Sequence, residues 1–471
     1  MSGLPTFLQI PIWIFMIVMA FNVIIFVHEL GHFLAAKWRG LQIDRFQIWF
    51  GKPIWKKDIG GVQYGFGWIP AGGFVALPQM APMEAIEGGE KPEKPLPSIS
   101  PLDKIIVAFA GPLFSMLLAL ASAVIVWQVG KPKDFVPTQI VGFVDEGSPA
   151  EKAGFKVGDK IEQINGRAVN GWAGTLDSIF ENIVLSAGSE IEFKVRREGE
   201  ADLLTIRSGY ETPPAKWYQR RALRRVGIGP QAEDLVVSSV YEGSPADKAG
   251  IRAEDELVSM DGKVFKKSDE AVNYIRSAGE KPIQMLLLRD KKEINVSVQA
   301  VKPLEPAGEK PMVGIGLDEM PVQDTRIVHP KPVEQVSDSL RMMWTTLVKL
   351  VTPSSSIGVD HLSGPIGIAK VQYKLIQMED GWRRILSFLV LFNVNLAVLN
   401  MLPFPVLDGG HITLAIMEKL RGRPVKSKPL EILQTACALL LISLMLFVSS
   451  KDIGDDFGRG GDQPKKLVFP E

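Results

Sequence analysis

Four long stretches without a charged side chain constrain the fold of this chain more than any other feature. They are residues 1–27, 105–130, 385–407 and 432–450. A helix needs about 20 apolar residues to cross roughly 30 Å of hydrocarbon, and each stretch reaches or approaches that length. We therefore expect a polytopic α-helical membrane protein with four transmembrane helices. Their predicted bounds are 5–36, 104–130, 383–411 and 430–450, with an irregular end to the third because of its prolines.

The first stretch has an alternative interpretation as a signal peptide that is removed from the mature protein. It carries no basic residue at its start, and its apolar part is longer than the usual core of about 7–15 residues. A retained membrane anchor is therefore favoured.

The distribution of basic residues predicts the orientation of the chain. Lysine and arginine concentrate after the first stretch, from Lys37 to Lys57, and between the last two, from Lys419 to Lys428. By the positive-inside rule both loops are cytoplasmic, so the termini and the large middle region face the other side. The formal net charge is zero and no basic block is present, which argues against nucleic acid as a partner. Cys437 is the only cysteine, so no disulfide framework is expected.

The middle region contains an internal repeat. The sequence GSPAEKAGFKVGDKIEQING begins at Gly147, and GSPADKAGIRAEDELVSMDG begins at Gly243. Each copy is followed by the sequence VGIG, at Val226 and at Val313. Repeats of about 90 residues with short strands and one helix predict two small, partly open β-barrels. We place them at 136–230 and 231–320.

The remaining segments are assigned by their pattern. In 332–351 the apolar residues recur at three- and four-residue steps, which predicts an amphipathic helix that rests on the lipid surface or packs against the second repeat. Between Tyr64 and Val75, glycines and a proline alternate with apolar residues, which favours a bent hairpin over a helix. The predicted segments are a cytoplasmic region 37–103 that contains a β-loop at 60–77, an amphipathic or interfacial region 332–378, and a C-terminal tail 451–471.

The sequence HELGH places three titratable side chains at the end of the first apolar stretch. On a helix, His28 and His32 are one turn apart and project from one face, where two neutral imidazoles can bind one divalent ion. Glu29 lies beside them, where it can accept a proton from metal-bound water. Pairing of the three groups with one another is the alternative without a metal.

A catalytic zinc site needs a third protein ligand and leaves its fourth position to water. Asp408, in the sequence PVLDGGH, lies at the same inferred membrane depth and precedes two glycines that allow close backbone approach. His411 is the competing candidate, because it lies three residues further on and imidazole is a good zinc ligand.

Taken together, these motifs resemble the site-2 protease family of intramembrane zinc metalloproteases. The resemblance covers nearly the whole chain, and it rests on HELGH at residue 28, AGP at residue 110, SGPIGIA at residue 363 and NMLPFPVLDGGH at residue 400. It implies that His28, His32 and Asp408 bind Zn²⁺, that Glu29 is the general base and that His411 is not a ligand. It also implies that Asn395 and Asn400 bind substrate. Ser115 stands where the family often has asparagine, which puts an ancillary polar contact in doubt.

The resemblance carries further expectations about architecture. The segment 60–77 is similar to a membrane-reentrant β-loop, whose substrate-binding residues would be Gly65, Phe66, Gly67, Trp68 and Ile69. A soluble cytoplasmic hairpin is the alternative. The repeats resemble tandem, circularly permuted PDZ domains, which either capture peptides by strand addition or exclude bulky substrates.

The resemblance also implies a function in a bacterial inner membrane. The expected partners are single-span membrane proteins in the lipid bilayer. The expected reaction is the second cleavage of an anti-sigma factor after a first cut, and removal of remnant signal peptides is a further expectation. Two other classes compete: a non-catalytic membrane receptor that binds peptides through its PDZ domains, and a membrane-anchored metalloprotease that cuts soluble proteins.

Overall fold

The computed structural model describes residues 6–80, 99–279, 281–289, 292–305, 310–423, 427–458 and 467–470. Parts of four predicted segments lie outside the described residues. They are residue 5 of the first span, 81–98 of the cytoplasmic region, 280, 290–291 and 306–309 of the second repeat, and 459–466 and 471 of the tail. The chain divides into two compact units. A membrane unit comprises residues 1–132, 327–351 and 358–454, and a β unit comprises residues 133–326, 352–357 and 455–471.

Helices dominate the membrane unit, and four in the described part of the chain are long and apolar enough to span a membrane. The apolar spans are Phe15–Arg39, Pro101–Val129, Gly381–Asn400 and Pro429–Asp455. The helices of this unit are α1 (Thr6–Arg39), α2 (Pro101–Val129), then Pro332–Val351, the 3₁₀ turn Val359–His361, Pro365–Gln377, Gly381–Asn400, Asp408–Arg421 and Ser427–Gly458.

The third span ends earlier than the predicted 383–411. Its helix stops at Asn400, and a separate helix begins at Asp408. Pro403 and Pro405 lie between the two helices, where proline removes a backbone donor and disfavours helical geometry in the residue before it. The predicted segment therefore contains one helix, a turn and the first residues of another helix.

A β-hairpin follows α1 and covers the predicted β-loop. Strands β1 (Arg45–Ile59) and β2 (Val62–Ala76) are joined by Gly60 and Gly61, both with positive φ, as a two-residue hairpin turn requires. Residues 45–48 of β1 are paired twice, with 73–76 and with 63–66. Residues 63–66 are also paired with 55–58. The segments 45–48 and 63–66 therefore each have a partner on both sides, whereas 73–76 has a partner on one side only and forms an edge.

Apolar packing fixes the hairpin against the first two helices. Phe46, Ile48 and Val75 of the hairpin are buried in one cluster with Phe33 of α1 and Val107 of α2. Burial of each large apolar side chain contributes about 1.5–3 kcal/mol to the stability of the fold. This cluster therefore stabilises the position of the edge segment 73–76 beside the helical turn 28–32.

The β unit contains two sheet domains with separate apolar cores. Strands β3–β15 are, in chain order, Lys131–Pro132, Val141–Val144, Lys160–Ile164, Arg167–Ala168, Ile191–Arg196, Leu204–Ser208, Ile228–Pro230, Asp234–Val240, Glu256–Met260, Pro282–Arg289, Lys292–Gln299, Ile315–Met320 and Ile327–Val328. The first sheet domain has a sheet of order β6-β5-β7-β8 and a β4-β9 pair, and the second has a sheet of order β13-β12-β11-β10-β14. Strands β3 and β15 belong to the membrane unit. The short helices of the β unit are Pro149–Ala153, Ile179–Val184, Pro245–Lys248 and Ser268–Ala278.

One buried ion pair recurs at the same place in both repeats. Arg197 binds both carboxylate oxygens of Asp159 at 2.7 and 2.8 Å, and Arg289 binds those of Asp255 at 2.6 and 2.7 Å. Both aspartates are almost fully buried, where a bidentate arginine offsets the cost of burial. Asp159 and Asp255 occupy matching positions after GSPA, so the sequence repeat is also a structural repeat.

Candidate metal centre

Three side chains from two distant parts of the chain converge in the membrane unit. The Nε2 atoms of His28 and His32 lie 3.3 Å apart. Each also lies 3.3 Å from a carboxylate oxygen of Asp408, Oδ2 for His28 and Oδ1 for His32. Among the described residues, these three form the group of His, Cys, Asp and Glu side chains that could hold a metal ion.

The spacing of these donor atoms fits zinc. With bonds of about 2.0–2.1 Å, the ligand atoms of a tetrahedral zinc site lie about 3.3–3.4 Å apart. The separation of the two Nε2 atoms matches that value, and each Nε2 atom lies at the same distance from one of the two Asp408 oxygens. Two imidazoles and one carboxylate are a donor set that zinc accepts. Three protein ligands leave one coordination position for water or substrate, as a catalytic site requires.

Close approach of α2 to α1 depends on glycine. A methyl group at Gly111 would lie 2.2 Å from His32 Nε2 and 2.8 Å from His28 Nε2, and one at Gly31 would lie 2.4 Å from the Ala110 carbonyl oxygen. Only hydrogen fits at either position. The AGP sequence at residues 110–112 thus lets α2 pass directly over the two histidines.

The two glycines of the LDGG sequence likewise allow close backbone packing, here beside Asp408. A methyl group at Gly409 would meet the Met401 carbonyl oxygen at 2.2 Å, and one at Gly410 would meet the Phe404 carbonyl oxygen at 1.9 Å. The new helix can therefore begin at Asp408 directly against the turn that precedes it. Lys104 and Glu418 form an ion pair of 2.6 Å between α2 and the helix Asp408–Arg421, which further fixes this helix.

The second ring nitrogen of each histidine has a partner on α2. His32 Nδ1 lies 2.8 Å from the Val107 carbonyl oxygen, which can only accept, so Nδ1 carries the proton and Nε2 is free to bind a metal. His28 Nδ1 lies 2.9 Å from the Ser115 hydroxyl, which is fully buried. Ser115 therefore makes a polar contact with a predicted ligand, at the position where the sequence left such a contact in doubt.

We expect Ser115→Ala to lower zinc affinity by about 10–100-fold, the usual cost of losing an outer-shell partner. The change leaves the Nδ1–H of His28 without an acceptor in a buried place. Ser115→Thr keeps the hydroxyl and should retain most of the affinity. Competition with a chromogenic chelator measures both variants, and equal affinities for wild type and Ser115→Ala would contradict this role.

We expect Gly111→Ala to lower zinc affinity by at least about tenfold, because the added methyl group displaces the imidazoles that must converge. Gly209→Ala is the matched control, since a methyl group there meets nothing within 4 Å. Chelator competition on the purified variants tests the difference. Wild-type affinity in Gly111→Ala would show that α2 can move away without harm to the site.

A cavity of about 390 Å³ opens beside the three donors. Glu29, Asn400 and His411 line it together with Gly73 and Val75 of the hairpin edge. A methyl group built on Gly73 would lie 3.3 Å from Glu29 Cγ, so the edge of the hairpin lies against the predicted base. The three converging side chains, the predicted base Glu29 and an edge of the hairpin thus line one cavity.

Not all of the predicted substrate residues reach this cavity. Asn400 lines it, but Asn395 and the hairpin residues 65–69 are not among its lining residues. Gly65 and Phe66 are paired on both sides, so their backbone groups cannot accept a further strand. Gly67 and Ile69 are paired on one side only, with Pro53 and Phe50. The hairpin residues that line the cavity are Phe50 and 72–75, and substrate binding at 65–69 stays a prediction.

Sequence reasoning missed the Val107 carbonyl and the hairpin edge at residues 73–75, and it did not explain Gly111. The carbonyl has no signal in the sequence. The edge could be found only by knowing which segment of the bent hairpin lies outermost. The physical reason for the AGP sequence is the packing of α2 over the histidines, which depends on tertiary structure.

A family model and several known proteins match most of the sequence of this chain. A model of peptidase family M50 matches residues 16–444. A Neisseria meningitidis protein, provisionally named a zinc metalloprotease, is 30% identical over 91% of this chain and 96% of its own length. Protease RseP of Yersinia pestis is 28% identical over 91% of this chain and 95% of its own. The regulator of sigma-E protease RseP of Escherichia coli is 27% identical over the same shares.

One solved structure is similar to a short part of the chain. It is the PDZ domain of an SdrC-like protein from Listeria monocytogenes, with 26% identity, 18% of this chain and 87% of that chain covered, and a TM-score of 0.17. A score this low does not establish the fold of the repeats.

Proposed function

Because the chain belongs to peptidase family M50, which matches residues 16–444, we propose that it is a zinc metalloendopeptidase that cuts single-span membrane proteins within or beside the bilayer. One observation carries the proposal: the two imidazole Nε2 atoms lie 3.3 Å apart and each lies 3.3 Å from one of the two Asp408 carboxylate oxygens, in a cavity that Glu29 also lines. The relatives named as zinc metalloprotease and as RseP proteases support it.

In the proposed mechanism the chain supplies ligands, a base and a template for the substrate. Bound zinc would provide a water of lowered pKa and polarise the scissile carbonyl group. The Glu29 carboxylate accepts the proton of that water and passes it to the leaving amine. Gly73 and Val75 of the hairpin edge line the cavity beside this carboxylate. The hydrogen bonds to Val107 and Ser115 orient the two imidazoles.

Peptide-bond cleavage needs an extended substrate, because a helix hides its carbonyl groups in hydrogen bonds. The segment Gly73–Ala76 offers an edge on which substrate backbone can form a further strand beside Glu29. The Asn400 side chain lines the same cavity and can hydrogen-bond to a substrate amide. Asn395 stays a proposed contact of the same kind.

The charge pattern of the chain and its resemblance to RseP proteases support a proposal for the setting of the reaction. We place the active site near the cytoplasmic face of a bacterial inner membrane and the two sheet domains, as circularly permuted PDZ domains, on the other side. The substrate class is an anti-sigma factor already cut once, and remnant signal peptides are a second class. The PDZ domains would exclude substrates with bulky external parts or capture peptides.

The test uses purified protein reconstituted with a truncated single-span substrate. We expect cleavage that stops with a zinc chelator and returns when zinc is restored. A water-soluble, casein-like protein serves as the comparison substrate. Equal cleavage of both would favour the membrane-anchored protease of soluble proteins, and no cleavage by zinc-loaded protein would favour the peptide receptor.

A further inference from the structure

A short segment near the end of the described chain is bound to the second sheet domain. We propose that Leu467–Pro470 is a built-in ligand of that domain and occupies a surface that accepts an extended apolar–aromatic peptide. The surface consists of Leu304 and Glu305, the turn at Gly314, and Lys248. Segment and surface both belong to the β unit.

Backbone pairing is the first contact. Val468 and Glu305 form an antiparallel β-bridge. The Val468 N–H donates to the Glu305 carbonyl oxygen at 3.1 Å, and the Leu304 N–H donates to the Val468 carbonyl oxygen at 2.7 Å. This is strand addition, the mode in which an extended peptide gains affinity from main-chain hydrogen bonds.

An aromatic anchor is the second contact. Phe469 is only 8% exposed, and its Cζ atom lies 3.1 Å from the position of a methyl group built on Gly314. Gly314 has a φ of +82°, so the turn requires glycine and leaves space that the phenyl ring fills. A buried phenylalanine beside paired backbone is the combination that gives a peptide site its specificity.

Comparison with the first repeat shows that the phenyl ring of Phe469 is not part of the repeated domain itself. Gly227 has the same conformation as Gly314, with a φ of +87°, and its methyl group would meet Ser148 as that of Gly314 would meet Ser244. The next neighbour of Gly227 is Asp145, which belongs to the first repeat itself. In the second repeat that neighbour is Phe469, from 155 residues further along the chain than Gly314 (469 − 314).

A charged donor completes the surface. The Lys248 ammonium group donates to the Pro470 carbonyl oxygen at 2.9 Å. Backbone pairing, an aromatic pocket and a basic side chain therefore contact three successive residues, Val468, Phe469 and Pro470. While this segment is bound, no other peptide can occupy the same surface.

A disulfide pair tests whether the segment is bound in the intact protein. Opposed residues of an antiparallel bridge have Cα atoms about 4.5–5.5 Å apart, within the range of about 4.4–6.8 Å that a disulfide needs. We expect the full chain with Cys437→Ser, Glu305→Cys and Val468→Cys to form this disulfide rapidly on mild oxidation. Adding Phe469→Ala should slow its formation at least tenfold, whereas Phe469→Leu should slow it little.

Two results would overturn the proposal: no disulfide in the paired variant, or equal rates with Phe469 and with alanine. A chain with Glu305→Cys alone reports oxidation between molecules and is subtracted. The assay does not depend on protease activity, so it can fail or succeed separately from the proposed function.

A peptide added in solution tests whether the surface is a binding site. The probe is the peptide KLCFPE, with KLCAPE as its matched control, and the target carries Cys437→Ser and Glu305→Cys. We expect KLCFPE to be trapped at least tenfold faster by a chain truncated after Lys466 than by the full-length chain, and KLCAPE to be trapped slowly by both. Equal trapping of KLCFPE by both chains would show that the segment does not occupy the surface, and equal trapping of both peptides by the truncated chain would show that no aromatic pocket exists.

Discussion

Replacing Glu29 with glutamine is expected to lower the rate of substrate cleavage by about 10²–10⁴-fold, the usual contribution of a general acid–base group. Glutamine has the same shape but cannot accept the proton of an attacking water. Single-turnover cleavage of the truncated single-span substrate measures the change.

Zinc binding should distinguish a loss of catalysis from a loss of the site. We expect Glu29→Gln to bind zinc as tightly as wild type, since Glu29 is not one of the three converging donors. Glu146→Gln, on the surface of the first sheet domain, is the matched control and should cleave normally. Undiminished cleavage by Glu29→Gln would rule out the proposed mechanism and leave another base to be found.

Replacing Asp408 with alanine is expected to reduce zinc affinity by more than the roughly 10–100-fold that an outer-shell change costs, because a direct ligand is removed. Cleavage should fall with it. The measurement is zinc content of the purified variant, followed by chelator competition.

His411→Gln provides the matched control, because His411 lies on the same helix and lines the same cavity. The side chains of His28 and His32 meet Asp408 at 3.3 Å, and His411 is not in the group of converging donors. We therefore expect His411→Gln to keep its zinc. If His411→Gln lost zinc and Asp408→Ala kept it, the third ligand would have been assigned to the wrong residue.

The family and the overall organisation could be read from sequence. The resemblance to intramembrane metalloproteases is confirmed by the match to peptidase family M50. The four apolar stretches correspond to four helices of membrane-spanning length. The hydrophobicity of a stretch of about 20 residues depends only on its composition, so it can be read without knowledge of tertiary contacts.

Details that depend on the path of the backbone were harder to predict from the sequence. The third span ends at Asn400 rather than 411, because two prolines separate it from the helix that Asp408 begins. The segment 73–76 is paired on one side only, whereas Gly65 and Phe66 are paired on both, because the hairpin bends and residues 45–48 pair twice. Alternation of apolar residues predicts a hairpin but does not say which of its segments is outermost.

By itself, the sequence determined the chemistry that this chain can carry. Two histidines one helical turn apart, a neighbouring carboxylate and a distant LDGG motif are properties of spacing, and spacing is written in the chain. Only the tertiary structure decided that each imidazole lies 3.3 Å from a carboxylate oxygen of Asp408, that a side chain at Gly111 would collide with the imidazoles, and that Ser115 and Val107 contact their Nδ1 atoms. The HELGH turn is separated from Asp408 by more than 370 residues (408 − 32 = 376), so their meeting depends on the packing of helices and not on any local rule.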